Sequence, residues 1–167
     1  MNLFILRHGI AVEREDWDPA NDAARPLTPE GELQLHGVTA ALRRMDLRFD
    51  LILASPYERA KKTAEIVADE LGLKKALRFS DELRSEGNPK RLIRQVNDLK
   101  TPPQNLLLVG HEPYLSELIA VLLTGKAKLS MDFKKGGLCR LKVGELNYDR
   151  CATLAWVLTP KQMALMR

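Results

Sequence analysis

The sequence predicts an α/β three-layer sandwich with a mostly parallel central sheet, helices on both faces and an antiparallel C-terminal hairpin at the sheet edge. Three observations predict it. Short apolar runs alternate with helical stretches over most of the chain, which is the pattern of βα units. The first three runs, residues 3–6, 51–54 and 105–109, are almost continuously apolar, as in strands covered on both faces. The last two, residues 139–143 and 153–158, flank the polar stretch 144–150 and read as a hairpin.

The helices announce themselves by their starts. Thr28-Pro29-Glu30, Ser55-Pro56-Tyr57-Glu58, Asn88-Pro89 and Thr159-Pro160 each place a capping side chain before proline at the first helical position. Ser55 and Glu58 also have the spacing of a capping box. After Thr28 the apolar stripe is Leu35, Val38, Leu42 and Met45; after Ser55 it is Ala60, Ala64, Val67 and Leu71, with Gly72 as the stop. No repeat, low-complexity tract or linker interrupts the pattern, so one domain over residues 1–167 is expected.

Composition narrows the setting. At 45% hydrophobic and 29% charged residues the chain is an ordinary globular one, not a disordered one. Its apolar runs are too short to span a bilayer, and Met1-Asn2 leads into a strand without a basic, leader-like stretch. A cytoplasmic protein with no membrane partner is expected. Cys139 and Cys151 then read as reduced structural thiols, since a hairpin turning near Asn147 would set Cys139 opposite a residue near 155. The net charge of +4 favours anionic partners, but the basic pairs lack interleaved aromatics, so nucleic acid is not expected. Lys126, Lys128, Lys134 and Lys135 suggest a surface for an acidic protein.

The chemistry lies at three strand ends. The first strand stops at Arg7-His8-Gly9, the second at Ser55-Pro56 with Arg59 one turn into the next helix, the third at Gly110-His111. Parallel strands put these ends on one edge of the sheet, where open α/β folds bind ligands. Guanidinium groups match phosphate oxygens in bidentate fashion, and an unprotonated imidazole attacks phosphorus near neutral pH. Two arginines crowded together repel unless an anion joins them. A phosphoryl site satisfies Arg7, His8, Arg59 and His111 at once. The loop over residues 10–27 is long enough to wall such a site, with Trp17 as its anchor. His36 falls beside the apolar stripe of its helix, no metal-ligand spacing appears, and neither a metal nor a cofactor is called for.

In order along the chain, "LRHG", "LTPEGELQ", "SPYERAKKTA" and "VGHEP" resemble the motif series of the histidine phosphatase superfamily, in its small phosphohistidine phosphatase branch. The resemblance implies that His8 is the nucleophile, transiently phosphorylated, and that Arg7, Arg59 and His111 hold the phosphoryl oxygens. By motif position it implies Glu82 as proton donor, with Glu86 close by. It further implies that the substrate is a phosphohistidine-bearing protein; a small phosphate ester, or non-catalytic phosphate recognition, are the alternatives. The second ring nitrogen of His8 is expected to donate to a backbone carbonyl. One departure is Ile10, which stands where many members of the superfamily carry a polar or acidic residue.

Overall fold

The computed structural model describes residues 1–166. Six strands form one sheet: β1 (Asn2–Arg7), β2 (Leu51–Ala54), β3 (Leu77–Phe79), β4 (Asn105–Gly110), β5 (Leu138–Val143) and β6 (Ala152–Leu158). Their order is β3-β2-β4-β1-β5-β6. The first four in this order run parallel, while β5 is antiparallel to β1 and to β6. Among the described residues five α-helices cover the sheet: α1 (Pro29–Arg44), α2 (Glu58–Glu70), α3 (Pro89–Asn97), α4 (Tyr114–Thr124) and α5 (Pro160–Ala164).

The continuous apolar runs divide between the two faces with the strand period of two. On one face Leu3, Ile5, Leu53, Leu106 and Leu108 pack with Leu92, Ile93 and Val96 of α3 and Leu115, Leu118 and Leu122 of α4. On the other, Phe4, Leu6, Ile52, Leu107 and Val109 pack with Val38 and Leu42 of α1, Ala60, Ala64 and Val67 of α2, and Met163 of α5. This is the three-layer arrangement that the sequence predicts.

Most of the predicted caps are in place. Thr28 Oγ1 accepts from the Gly31 N–H, Asn88 caps α3, and Thr159 forms a capping box with Gln162. Gly72 follows α2 at φ +70°. Ser55 is the exception. The helix after it begins at Glu58 with Tyr57 as cap residue, so the expected Ser55–Glu58 box does not form. Strand β3 was not legible either, being three residues long and largely exposed. In the hairpin Cys139 faces Val157, near the expected position, with a bulge between Arg140 and Leu141 shifting the register by one residue. Both cysteines are free, and burial pushes the Cys139 thiol up to about 12.

Two glycines fix the loops that frame the sheet edge. A Cβ on Gly31 would lie 2.0 Å from the Ile10 carbonyl oxygen, so α1 meets the chain after β1 only because that position is bare. Gly31→Ala is expected to cost about 1–3 kcal/mol, as overpacking against backbone does. Urea unfolding would measure it, and a change under about 0.5 kcal/mol would contradict that reading of the contact. Gly136 has φ +73°, and its N–H donates to the carbonyl oxygens of Arg7 and His8. The turn before β5 is thereby tied to the end of β1.

Candidate active site

Register brings the site together. In the parallel pair β1–β4, Arg7 lies opposite Gly110, so His8 and His111 are the next residues on neighbouring strands. On the other side of β4, Ala54 lies opposite Val109, which sets Ser55 beside Gly110. The His8 and His111 rings are 5.2 Å apart, centroid to centroid. Arg7, His8, Arg59 and His111 all line one narrow cleft of about 180 Å³. The four residues expected to converge do so.

His8 is 5% exposed and oriented by its neighbours. Its Nδ1–H donates to the Gly9 carbonyl at 2.7 Å, which leaves Nε2 with the free lone pair. The expected backbone acceptor is therefore its adjoining residue. The Gly9 N–H donates to Thr63 Oγ1, whose hydroxyl donates to the Arg59 carbonyl, linking the turn that carries His8 to α2.

His111 is 1% exposed, and its Nε2 lies 2.8 Å from Ser55 Oγ. Ser55 Oγ already accepts from the Tyr57 N–H, and among the described residues its proton has no acceptor besides His111 Nε2. The hydroxyl thus donates to Nε2, and the His111 proton sits on Nδ1. Among the described residues that Nδ1 has no hydrogen-bond partner, nor do Arg7 Nε and Arg59 Nε. These are buried donors suited to an oxyanion. Ser55, misread as a helix cap, instead sets the tautomer of His111.

The arginines are held from behind. Arg7 Nη1 donates to the Phe133 carbonyl at 2.6 Å. Arg59, 1% exposed, donates from Nη1 to the Asp22 carbonyl and from Nη2 to Asp22 Oδ2, at 2.8 and 2.9 Å. Asp22 also accepts from Arg25 Nε, so one carboxylate spaces two guanidinium groups. Burial works to raise the Asp22 pKa, but the arginine contacts overcome it and hold the carboxyl below its ordinary value. Asp22 was not singled out in the sequence; its spacing three residues before Arg25 was the available signal.

The loop over residues 10–27 does wall the cleft, through Glu13, Arg14, Glu15 and Arg25. Its ends are joined by the Ala11–Leu27 bridge, and Trp17 anchors it by donating from Nε1 to the Asn21 carbonyl. The Tyr57 ring is tilted against that of His111, with centroids 5.4 Å apart, and lies beneath the Arg59 guanidinium. His36 is outside the site, paired with Glu70 on the surface.

Glu82 is not where the motif position put it. It does not line the cleft; Oε2 accepts the Asn88 N–H at 3.0 Å, and Oε1 lies 3.8 Å from Arg91. The cause is the turn over residues 84–87, closed by the Gly87 N–H on the Arg84 carbonyl, which folds the segment back toward α3. Glu112 is the carboxylate next to His111 in sequence that does line the cleft, accepting hydrogen bonds from the Ser116 N–H and hydroxyl.

Both imidazoles are uncharged at neutral pH. Burial, then His111 and the two arginines, hold the His8 pKa well below its ordinary value; burial and Arg59 push His111 down to about 3. The unfolded chain therefore binds more protons than the folded one below about pH 6.5. Stability is fully present above that pH and is lost as pH falls below it, for His111 down to about pH 3, with a slope that approaches about 1.4 kcal/mol per pH unit for an imidazole. Urea midpoints between pH 7.5 and 5 would show the fall, and a flat profile would contradict it.

The sequence model of the histidine phosphatase superfamily (branch 1) matches residues 3–86. The chain is 36% identical, over 86% of both proteins, to an uncharacterised protein of Picosynechococcus sp.. It is 30% identical to the phosphohistidine phosphatase SixA of Escherichia coli K12, over 75% of this chain and 76% of that one. The chain belongs to the histidine phosphatase superfamily. A solved structure of the protein histidine phosphatase SixA with tungstate superposes with a TM-score of 0.79 at 26% identity, covering 96% of this chain and 98% of that one. Membership supports a phosphatase hydrolase, similar to SixA. Among the described residues no cluster of His, Cys, Asp and Glu is arranged to hold a metal ion, and no helix is long and apolar enough to cross a membrane.

Proposed function

We propose that this protein hydrolyses phosphohistidine in proteins through a covalent phosphohistidine formed on His8. One observation carries the proposal. A neutral His8, fixed by Gly9 so that Nε2 is the nucleophilic nitrogen, shares a narrow cleft with Arg7, Arg59 and the Nδ1–H of His111. That the SixA structure similar to this chain holds tungstate, a tetrahedral oxyanion, supports a phosphoryl group as the cleft's occupant.

In the first step His8 Nε2 attacks phosphorus in line while the bond from phosphorus to the substrate's imidazole breaks. The imidazole, protonated on its other nitrogen, departs as the neutral ring. Arg7, Arg59 and His111 bind the equatorial oxygens, over which the charge is spread. In the second step water attacks phosphorus, the bond to Nε2 breaks, and inorganic phosphate leaves as His8 returns to its starting tautomer. A protonated imidazole is a good leaving group, so this scheme needs no carboxyl at Glu82. That fits its place outside the cleft.

A second reading has one observation in its favour. Glu112 lines the cleft, and an acid there would help an alkoxide leave a small phosphomonoester. Phosphate release from a phosphohistidine-bearing protein and from p-nitrophenyl phosphate, with His8→Ala in parallel, separates the two. The leading reading expects His8-dependent turnover of both, with phosphohistidine preferred in kcat/KM. Turnover of the aryl ester alone would establish the second reading, and release from neither would leave a phosphate-binding module.

A further inference from the structure

Beside the catalytic cleft lies a wider groove of about 610 Å³, and Arg7 and Lys135 belong to the walls of both. Its lining carries four cations, Arg7, Lys134, Lys135 and Lys161, against one carboxylate, Asp132. Lys134 is 2.6 Å from Asp132, and Lys135 is 3.0 Å from Glu13. Lys161 has no ion-pair partner among the described residues. The Lys134–Asp132 pair is exposed on both sides and weak enough to exchange for another carboxylate.

The groove is fixed relative to the nucleophile. Phe133 is buried, its carbonyl accepts from Arg7 Nη1, and the Gly136 N–H binds the carbonyls of Arg7 and His8. The segment bearing Lys134 and Lys135 is thus bonded at both ends to the strand end that carries His8. Lys126 and Lys128 do not line the groove, so only the second half of the basic segment seen in the sequence borders the site.

We propose that this groove seats an acidic surface of the phosphorylated protein, carboxylates flanking the phosphohistidine meeting Lys134 and Lys161 as the phosphoryl group enters the cleft. The proposal rests on the phosphohistidine reading above. A groove of this volume exceeds what a phosphoryl group fills, and its excess of cations complements an acidic surface. Lysines on flexible stems suit carboxylates whose positions vary, and such a surface acts mainly on the rate of encounter.

The test uses two phosphohistidine peptides that differ only in carrying Glu or Gln at the positions flanking the histidine. Wild type is expected to favour the Glu peptide in kcat/KM by about three- to tenfold at low salt, less so as salt rises. In the double variant Lys134→Glu, Lys161→Glu that preference should vanish or reverse, while p-nitrophenyl phosphate turnover stays within about twofold of wild type. No Glu preference in wild type, or a preference that survives the double variant, overturns the proposal. Equal loss on the peptides and the aryl ester also overturns it, since it places the groove in turnover itself; Lys134→Gln, Lys161→Gln would distinguish this from misfolding by giving the same result at an unchanged melting temperature. If wild type hydrolyses the aryl ester and neither peptide, the phosphohistidine reading fails, and this one with it.

Discussion

His8→Ala is expected to lower phosphate release by at least about a thousandfold on every substrate, because in the proposed mechanism its Nε2 is the atom that takes the phosphoryl group. The neighbouring ring, His111, is not a substitute. Its Nε2 is engaged by Ser55, and its Nδ1 carries the proton. The variant should still fold. Removing a buried imidazole whose charged form is so disfavoured also removes its share of the acid destabilisation. It should still bind inorganic phosphate or tungstate, since Arg7, Arg59 and His111 are intact. Steady-state kinetics with a binding titration on the same preparation checks both halves. Activity within tenfold of wild type would mean that another atom attacks phosphorus.

Arg59→Met is expected to cost about 10²–10³-fold in kcat/KM, the scale of losing one fixed donor to a transition-state oxyanion. Part of the loss is indirect. Arg59 holds Asp22 through two hydrogen bonds, and Asp22 in turn holds Arg25 in the cleft wall. Without Arg59 that carboxylate, whose charge already reaches His111, has one cation fewer to offset it and disfavours an anion in the cleft. The double variant Arg59→Met, Asp22→Asn should therefore recover several-fold of the loss. Arg59→Lys should recover little, because a single ammonium cannot span the Asp22 contacts and a phosphoryl oxygen together. Kinetics on the three variants measures this; a double variant worse than the single one would show Asp22 to be needed for a reason other than holding arginines.

Much of this site is written in the sequence. Continuous apolar runs identify buried parallel strands, and parallel strands must put Arg7-His8, Ser55 and His111 on one edge. Residues 103 positions apart thus become neighbours through strand order alone. What was not legible depends on side-chain competition. Ser55 has the residue type and spacing of a helix cap, but the turn at Pro56 and Tyr57 delays the helix and frees its hydroxyl for His111. Asp22 looks like a solvated loop charge until Arg59 and Arg25 are seen to share it. Glu82 sits at the family's motif position, yet the tight turn at Gly87 draws its carboxylate to the Asn88 N–H. Short strands such as β3 leave too few residues for a period to be read.

The covalent step itself is the most direct thing to measure. Mixing enzyme with phosphohistidine substrate and quenching in alkali within milliseconds should trap one phosphoryl group per chain. That group should be stable in alkali and lost in acid, as phosphoramidates are, and peptide mapping should place it on His8. His8→Ala should trap none. A burst of product without any phosphorylated chain, or a phosphoryl group mapped to His111, would contradict the assignment of His8 as the nucleophile.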